Sequence, residues 1–72
     1  MAFKIKVMEN KSRDIFFHHD IIDPKNLIRK AREKGFHGNL TVELLEESEE
    51  KIMDISRFTV NEQDQITSFI FP

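Results

Sequence analysis

The chain has 72 residues, seven of them Phe and none Cys, Trp or Tyr, and its 11 Lys/Arg against 13 Asp/Glu leave a formal charge of −2. A chain of that size makes one compact domain, residues 1–72, that buries only about 60% of its unfolded surface, and without cysteine it has neither a disulfide framework nor a thiolate metal site. No apolar run approaches the ~20 residues of a membrane-spanning helix, and "MAFKIKVMEN" lacks the apolar core of a signal peptide, so a cytoplasmic protein is expected.

The small net charge conceals a dipolar chain. Residues 1–37 carry nine Lys/Arg and five Asp/Glu, whereas residues 38–72 carry two and eight. Asymmetry between halves points to charged partners.

"FKIKVM" alternates strictly, with Phe3, Ile5 and Val7 on one face and Lys4 and Lys6 on the other, which is the pattern of a half-buried strand. "ENKSR" reads as a turn, and "DIFFHHDII" as a second strand that completes a hairpin. Asp23 then offers a helix N-cap, and Pro24 suits the first helical position, where its missing N–H costs nothing. The helix runs to about Lys34 with Leu27, Ile28 and Ala31 as its apolar stripe, and Gly35 ends it in the left-handed conformation. "NLTVELLEE" is a third strand. "KIMDISRFTV" is a fourth, with a bulge near Ser56–Arg57 where the apolar phase shifts. "NEQDQ" is a turn and "ITSFIF" a fifth strand.

The order β-β-α-β-β-β predicts a single α+β domain with one helix packed on a largely antiparallel sheet of four to five strands. One helix covers one face. The other face is expected to expose Phe16 and Leu45, with either Ile66 and Ile70 or Phe69 and Phe71 according to register. An apolar face of this kind marks an interface, with a monomer and a homodimer both open.

Catalytic and metal chemistry find little support. His18 and His19 point to opposite faces of a strand and cannot share one ion; they read as ordinary sheet histidines, His19 partly buried. Ser12, Ser48, Ser56 and Ser68 have no nucleophile context, and Gly35 and Gly38 form no phosphate-cradling loop. No metal, cofactor or catalytic residue is assigned, and the chain reads as non-enzymatic.

Two charged clusters remain. Lys25, Arg29 and Arg32 recur at i, i+4 and i+7 along one helix stripe, flanked by Lys30 and Lys34. Such a stripe either neutralises phosphates or is a solvated face of good helix formers. Glu43, Glu46, Glu47, Glu49 and Glu50 form an acidic hairpin that either guards strand edges with charge or meets a basic groove on another protein.

The stretch from this basic helix through "GFHGNLTVELLEE", with Phe36, His37 and Gly38 ahead of an alternating strand, resembles the middle of small phage-encoded anti-CRISPR inhibitors of the type I-F class. It covers about a third of the chain. The resemblance implies one helix on a five-stranded antiparallel sheet, in a mobile-element protein that blocks a host nucleoprotein by occupying a nucleic-acid channel. It also implies contacts through Arg29, Lys30, Arg32 and Lys34, whereas the acidic hairpin departs from the pattern. The expected function is a phage or mobile-element inhibitor docking on a CRISPR-type nucleoprotein through charged surfaces. The alternatives are a small nucleic-acid-binding protein and a structural module that dimerises through its open sheet face.

Overall fold

Alternation along the first strand sends Ile5 and Val7 inward and the lysines outward, and the rest of the sheet is registered on that choice. The structure is a computed structural model, and it describes residues 2–48 and 51–70. Its elements are β1 (Ala2–Glu9), β2 (Ile15–His18), α1 (Pro24–Glu33), β3 (Leu40–Glu47), β4 (Ile52–Val60) and β5 (Ile66–Ile70). The strands form one five-stranded sheet in the order β2-β1-β3-β4-β5, with every neighbouring pair antiparallel. Because β2 and β3 both run against β1, they are parallel to each other, and α1 is the crossover that such a connection needs.

Helix α1 starts and stops as its end residues dictate. The Asp23 carboxylate accepts the Asn26 backbone N–H at 2.9 Å and the Asn26 side-chain amide at 2.8 Å, so N-cap and third helical residue satisfy each other. At the other end Gly35 adopts φ +92°. The Phe36 N–H donates to the Ala31 carbonyl and the Gly35 N–H to Arg32, the paired bonds of a Schellman ending. Phe36 is thereby turned back onto the sheet, its ring edge-on to Phe16 with centroids 5.2 Å apart.

The core is Val7, Leu27, Ile28, Ala31, Leu40, Val42 and Val60, with Ile5, Phe16, Ile22, Phe36 and Phe58 packed around it. Cross-strand partners share a face, so the pairs Val7↔Phe16 and Val7↔Val42 place all three side chains beneath the helix. Phe16 therefore does not belong to an open face, as the sequence suggested. Ile15 and Phe17 are the β2 residues that point away, 44% and 47% exposed. Leu45 does point away from the helix, yet it is 8% exposed rather than open; its cross-strand partner Lys4 is itself only 14% exposed.

Two irregularities set the phase of β4 and β5. Pairing jumps from Leu44↔Ser56 to Leu45↔Asp54, so Ile55 is the extra residue of a bulge, next to the expected position. A second shift between Thr59 and Val60 leaves Phe69 opposite Phe58 and Ile66 opposite Val60. Ile66 and Phe69 thus lie on the helix side, not the far face, while the Ile70 side chain and Phe71 lie outside the described residues. β2 ends at His18, so His19 falls beyond the strand and is exposed rather than partly buried.

Replacing Leu40, which is fully buried, by Ala is expected to cost roughly 2–5 kcal/mol in urea unfolding. Gly35→Ala should cost roughly 1–2 kcal/mol through its left-handed backbone. Gly38→Ala should be close to neutral, because a Cβ there meets Glu9 at an ordinary 3.6 Å. Equal effects at the two glycines would contradict this account of the helix ending.

Candidate binding surfaces

The five basic residues of α1 separate into two groups. Lys25, Arg29, Lys30 and Lys34 are exposed, and among the described residues none of them forms an ion pair. Arg29 donates to the Asn26 side-chain carbonyl at 2.7 Å, and the Lys34 ammonium stands 5.2 Å from the Phe16 ring centroid. All four cations remain directed at solvent.

Arg32 is different, and its place on the contact stripe is lost. Its guanidinium donates to the Asp64 carboxylate at 2.7 Å, to the carbonyls of Gly38 at 2.7 Å and Asn61 at 2.8 Å, and to the Phe36 carbonyl. The side chain is 17% exposed. A planar fork of five N–H donors suits several acceptors at once, and here it ties the end of α1 to the loop before β3 and to the β4–β5 turn. That turn is prepared to receive it. The Asn61 side chain accepts the N–H groups of Gln63 and Gln65, and Asp64 takes φ +64°. Nothing in the i, i+4, i+7 spacing separates a bound arginine from its exposed neighbours, so the sequence pattern groups them. The turn-rich "NEQDQ" with its two acids was the available signal.

The acidic residues are divided by strand alternation. Glu43 and Glu47 point to the far face, where each meets a β1 lysine. The Lys4 ammonium is 2.8 Å from Glu47, and Lys6 is 3.9 Å from Glu43. Lys4 also stands over the Phe17 ring at 4.5 Å. Its hydrogen bond and charge hold the Glu47 carboxyl below the ordinary range. Asp54 pairs with Arg57 at 2.9 Å and raises the guanidinium further. Glu46 faces the helix side, opposite Phe3, without an ion pair among the described residues. Glu49 and Glu50 lie outside the described residues. The described acids therefore form no single patch, and the far face interleaves charge with its apolar residues.

Besides Ile15 and Phe17 on the far face, apolar surface is also left uncovered on the helix side. Ten helical residues span about 15 Å, whereas the eight of β3 span about 27 Å. Beyond the N-terminal end of α1 an open groove of about 720 Å³ remains. Its floor includes Phe3, Ile5, Leu44, Phe58 and Phe69, its helix wall Ile22 and Leu27, and its rim His18, His19 and Asp20. Phe58 and Phe69 stack in parallel at 5.7 Å. Phe69 and Phe3 are about half exposed, and Ile21 at the rim is fully so. Sequence reading did not find this groove; the element lengths alone would have implied it. His18 faces inward on β2 while His19 lies beyond it, and no group of three or more metal-ligating side chains occurs among the described residues.

No family model, no curated protein and no solved structure matches the chain. Among the described residues no helix is long and apolar enough to cross a membrane.

Substituting Arg32 by Met should destabilise the fold by roughly 2 kcal/mol, because partly buried carbonyls lose a charged donor, and should raise amide exchange in the 61–65 turn. The acid limb draws on Glu47, lowered by Lys4, and on Glu9, whose carboxylate accepts the Gly38 N–H at 3.0 Å. That bond first, and the Ser12 hydroxyl second, hold its pKa below the ordinary 4.5. A depressed folded-state pKa contributes stability that is fully present above the unfolded value and lost as pH falls through the folded one. The urea midpoint should therefore fall as pH drops below about 4.5, and Glu9→Gln should flatten that acid limb. An unchanged limb would show that Glu9 is not a source of it.

Proposed function

We propose that the chain is a binding protein that docks on a larger nucleoprotein through the exposed basic side of α1. The observation that carries this reading is the difference in how the two charged clusters are satisfied. Glu43 and Glu47 are each answered by a lysine of β1, whereas Lys25, Arg29, Lys30 and Lys34 keep their charge available on one rigid, capped element. Cations already held on the exposed side of a capped helix attract an anionic surface with little further ordering. The resemblance to type I-F anti-CRISPR inhibitors makes a CRISPR-type nucleoprotein the partner of choice, with the helix row entering a channel that otherwise holds nucleic acid. A phage or other mobile element is the source that this activity implies.

A second reading follows from the same row: direct binding of nucleic acid, with each phosphate contact steepening the salt dependence. It is less favoured because the exposed side of α1 between Lys25 and Lys34 presents no aromatic side chain on which a base could stack.

The two readings separate by titrating the chain against a purified type I-F surveillance complex and, in parallel, against bare single- and double-stranded DNA. Docking predicts a saturable complex with the nucleoprotein that Lys25→Glu, Arg29→Glu and Lys30→Glu together weaken at least about tenfold, ~1.4 kcal/mol. Glu43→Gln with Glu47→Gln should leave it unchanged. Binding to bare DNA alone, lost at high salt, would transfer the function to the second reading. Binding that survives the triple reversal would remove α1 as the contact surface.

A further inference from the structure

The two edges of the sheet are protected very differently. β2 is four residues long, ends in His18 and is followed by His19 and Asp20. Short edges with ionisable side chains resist pairing with other strands. β5 is the opposite case. It occupies the other edge of the sheet, bonded to β4 on one side, and its sequence ITSFI has no ionisable residue. Each of the other four strands carries at least one, in a chain that is 33% charged. Ile66, Thr67, Ser68 and Phe69 are all exposed.

We propose that β5 is a self-association edge, and that two copies of the chain pair β5 to β5 in antiparallel fashion to form a continuous ten-stranded sheet.

Three observations select a second copy as the occupant. Among the described residues β5 has a strand neighbour on one side, β4, and the outer side of such a strand suits the complementary backbone groups of another strand. Ionic character supplies the second argument. Antiparallel pairing of β5 with itself places no like charges opposite each other, and it sends the two β4–β5 turns, each with an exposed Glu62 beside the Arg32-bound Asp64, to opposite ends of the new pair. Parallel pairing would bring those turns together, so charge chooses the antiparallel arrangement. Third, a two-fold axis perpendicular to the sheet keeps both helices on the same side. Ile66 and Phe69, 45% and 49% exposed on that side, then meet their counterparts and lose apolar surface to each other. The proposal is independent of docking through α1, since no residue of the basic row belongs to β5.

A five-residue strand is about 17 Å long and makes a smaller contact than the ~1,200 Å² of a stable interface, so association is concentration-dependent. The test is sedimentation equilibrium of the full chain from about 10 μM to about 1 mM. The average mass should rise from the 8.6 kDa of one chain toward twice that value. Ser68 lies mid-strand and is exposed, with its hydroxyl 2.8 Å from that of Thr59 on β4. Ser68→Lys and Ser68→Glu should each weaken self-association at least tenfold, and an equimolar mixture of the two should restore it, while Phe17→Lys on the β2 edge should not affect it. Amide exchange reads the same surface in the unsubstituted chain: β5 amides should gain protection between the low and high concentrations, and β2 amides should not. A chain that stays monomeric throughout overturns the proposal. So does a dimer indifferent to both Ser68 charges, or one that protects β2 instead of β5.

Discussion

A ten-residue helix cannot cover strands of eight and nine residues, and most of the molecule follows from that mismatch. Leu27, Ile28 and Ala31 close one end of the sheet against Val7, Leu40, Val42 and Val60. The other end keeps Phe3, Leu44 and Phe69 around an open groove. Because the helix is too short to be stable alone, its placement depends on its two ends. Asp23 fixes the first turn, and the Schellman bonds with Arg32 fix the last. A longer helix would hide the groove, and a helix without those ends would not hold the core.

Charge is organised by the same sheet. The basic first half of the sequence and the acidic second half meet where β1 lies beside β3, and Lys4–Glu47 and Lys6–Glu43 neutralise part of the dipole internally. Partly exposed pairs of this kind contribute modest stability, but they remove two acids and two lysines from the outward-facing field. Arg32 and Asp64 withdraw another pair. Among the outward-facing charges that these pairs leave are Lys25, Arg29, Lys30 and Lys34 of α1, together with acids such as Glu33 on the same helix and Glu62 on the β4–β5 turn. The net charge of the sequence says little about this; the distribution of partners decides it.

Local chemistry made the element order legible. Alternation in "FKIKVM", Asp23-Pro24, Gly35 and the turn-rich stretches each carry their meaning within a few residues, and the fold class and helix ends follow from them. Face assignments did not transfer as well. Phe16 went to the wrong side because the phase of β2 relative to β1 is set by how the 10–14 loop turns, with Arg13 at φ +67°, and nothing in "ENKSR" states that count. Ile66 and Phe69 share a side only because pairing slips at Thr59/Val60. For Arg32 the deciding information lay on the β4–β5 turn, 32 residues away. The groove stayed unnoticed although the lengths of α1 and β3 contain it.

The same distances along the chain set an order of events in folding. β3–β4 and β4–β5 are hairpins whose closure joins near neighbours, whereas β1 must find β3 with Glu9 opposite Leu40, about thirty residues on. Loop-closure entropy grows with that separation, so the C-terminal meander can form before the sheet is complete. The Arg32 clasp requires both a finished helix end and a finished β4–β5 turn. The clasp is therefore incomplete until the last hairpin is in place, and so is the anchoring of the helix end that carries Lys30 and Lys34.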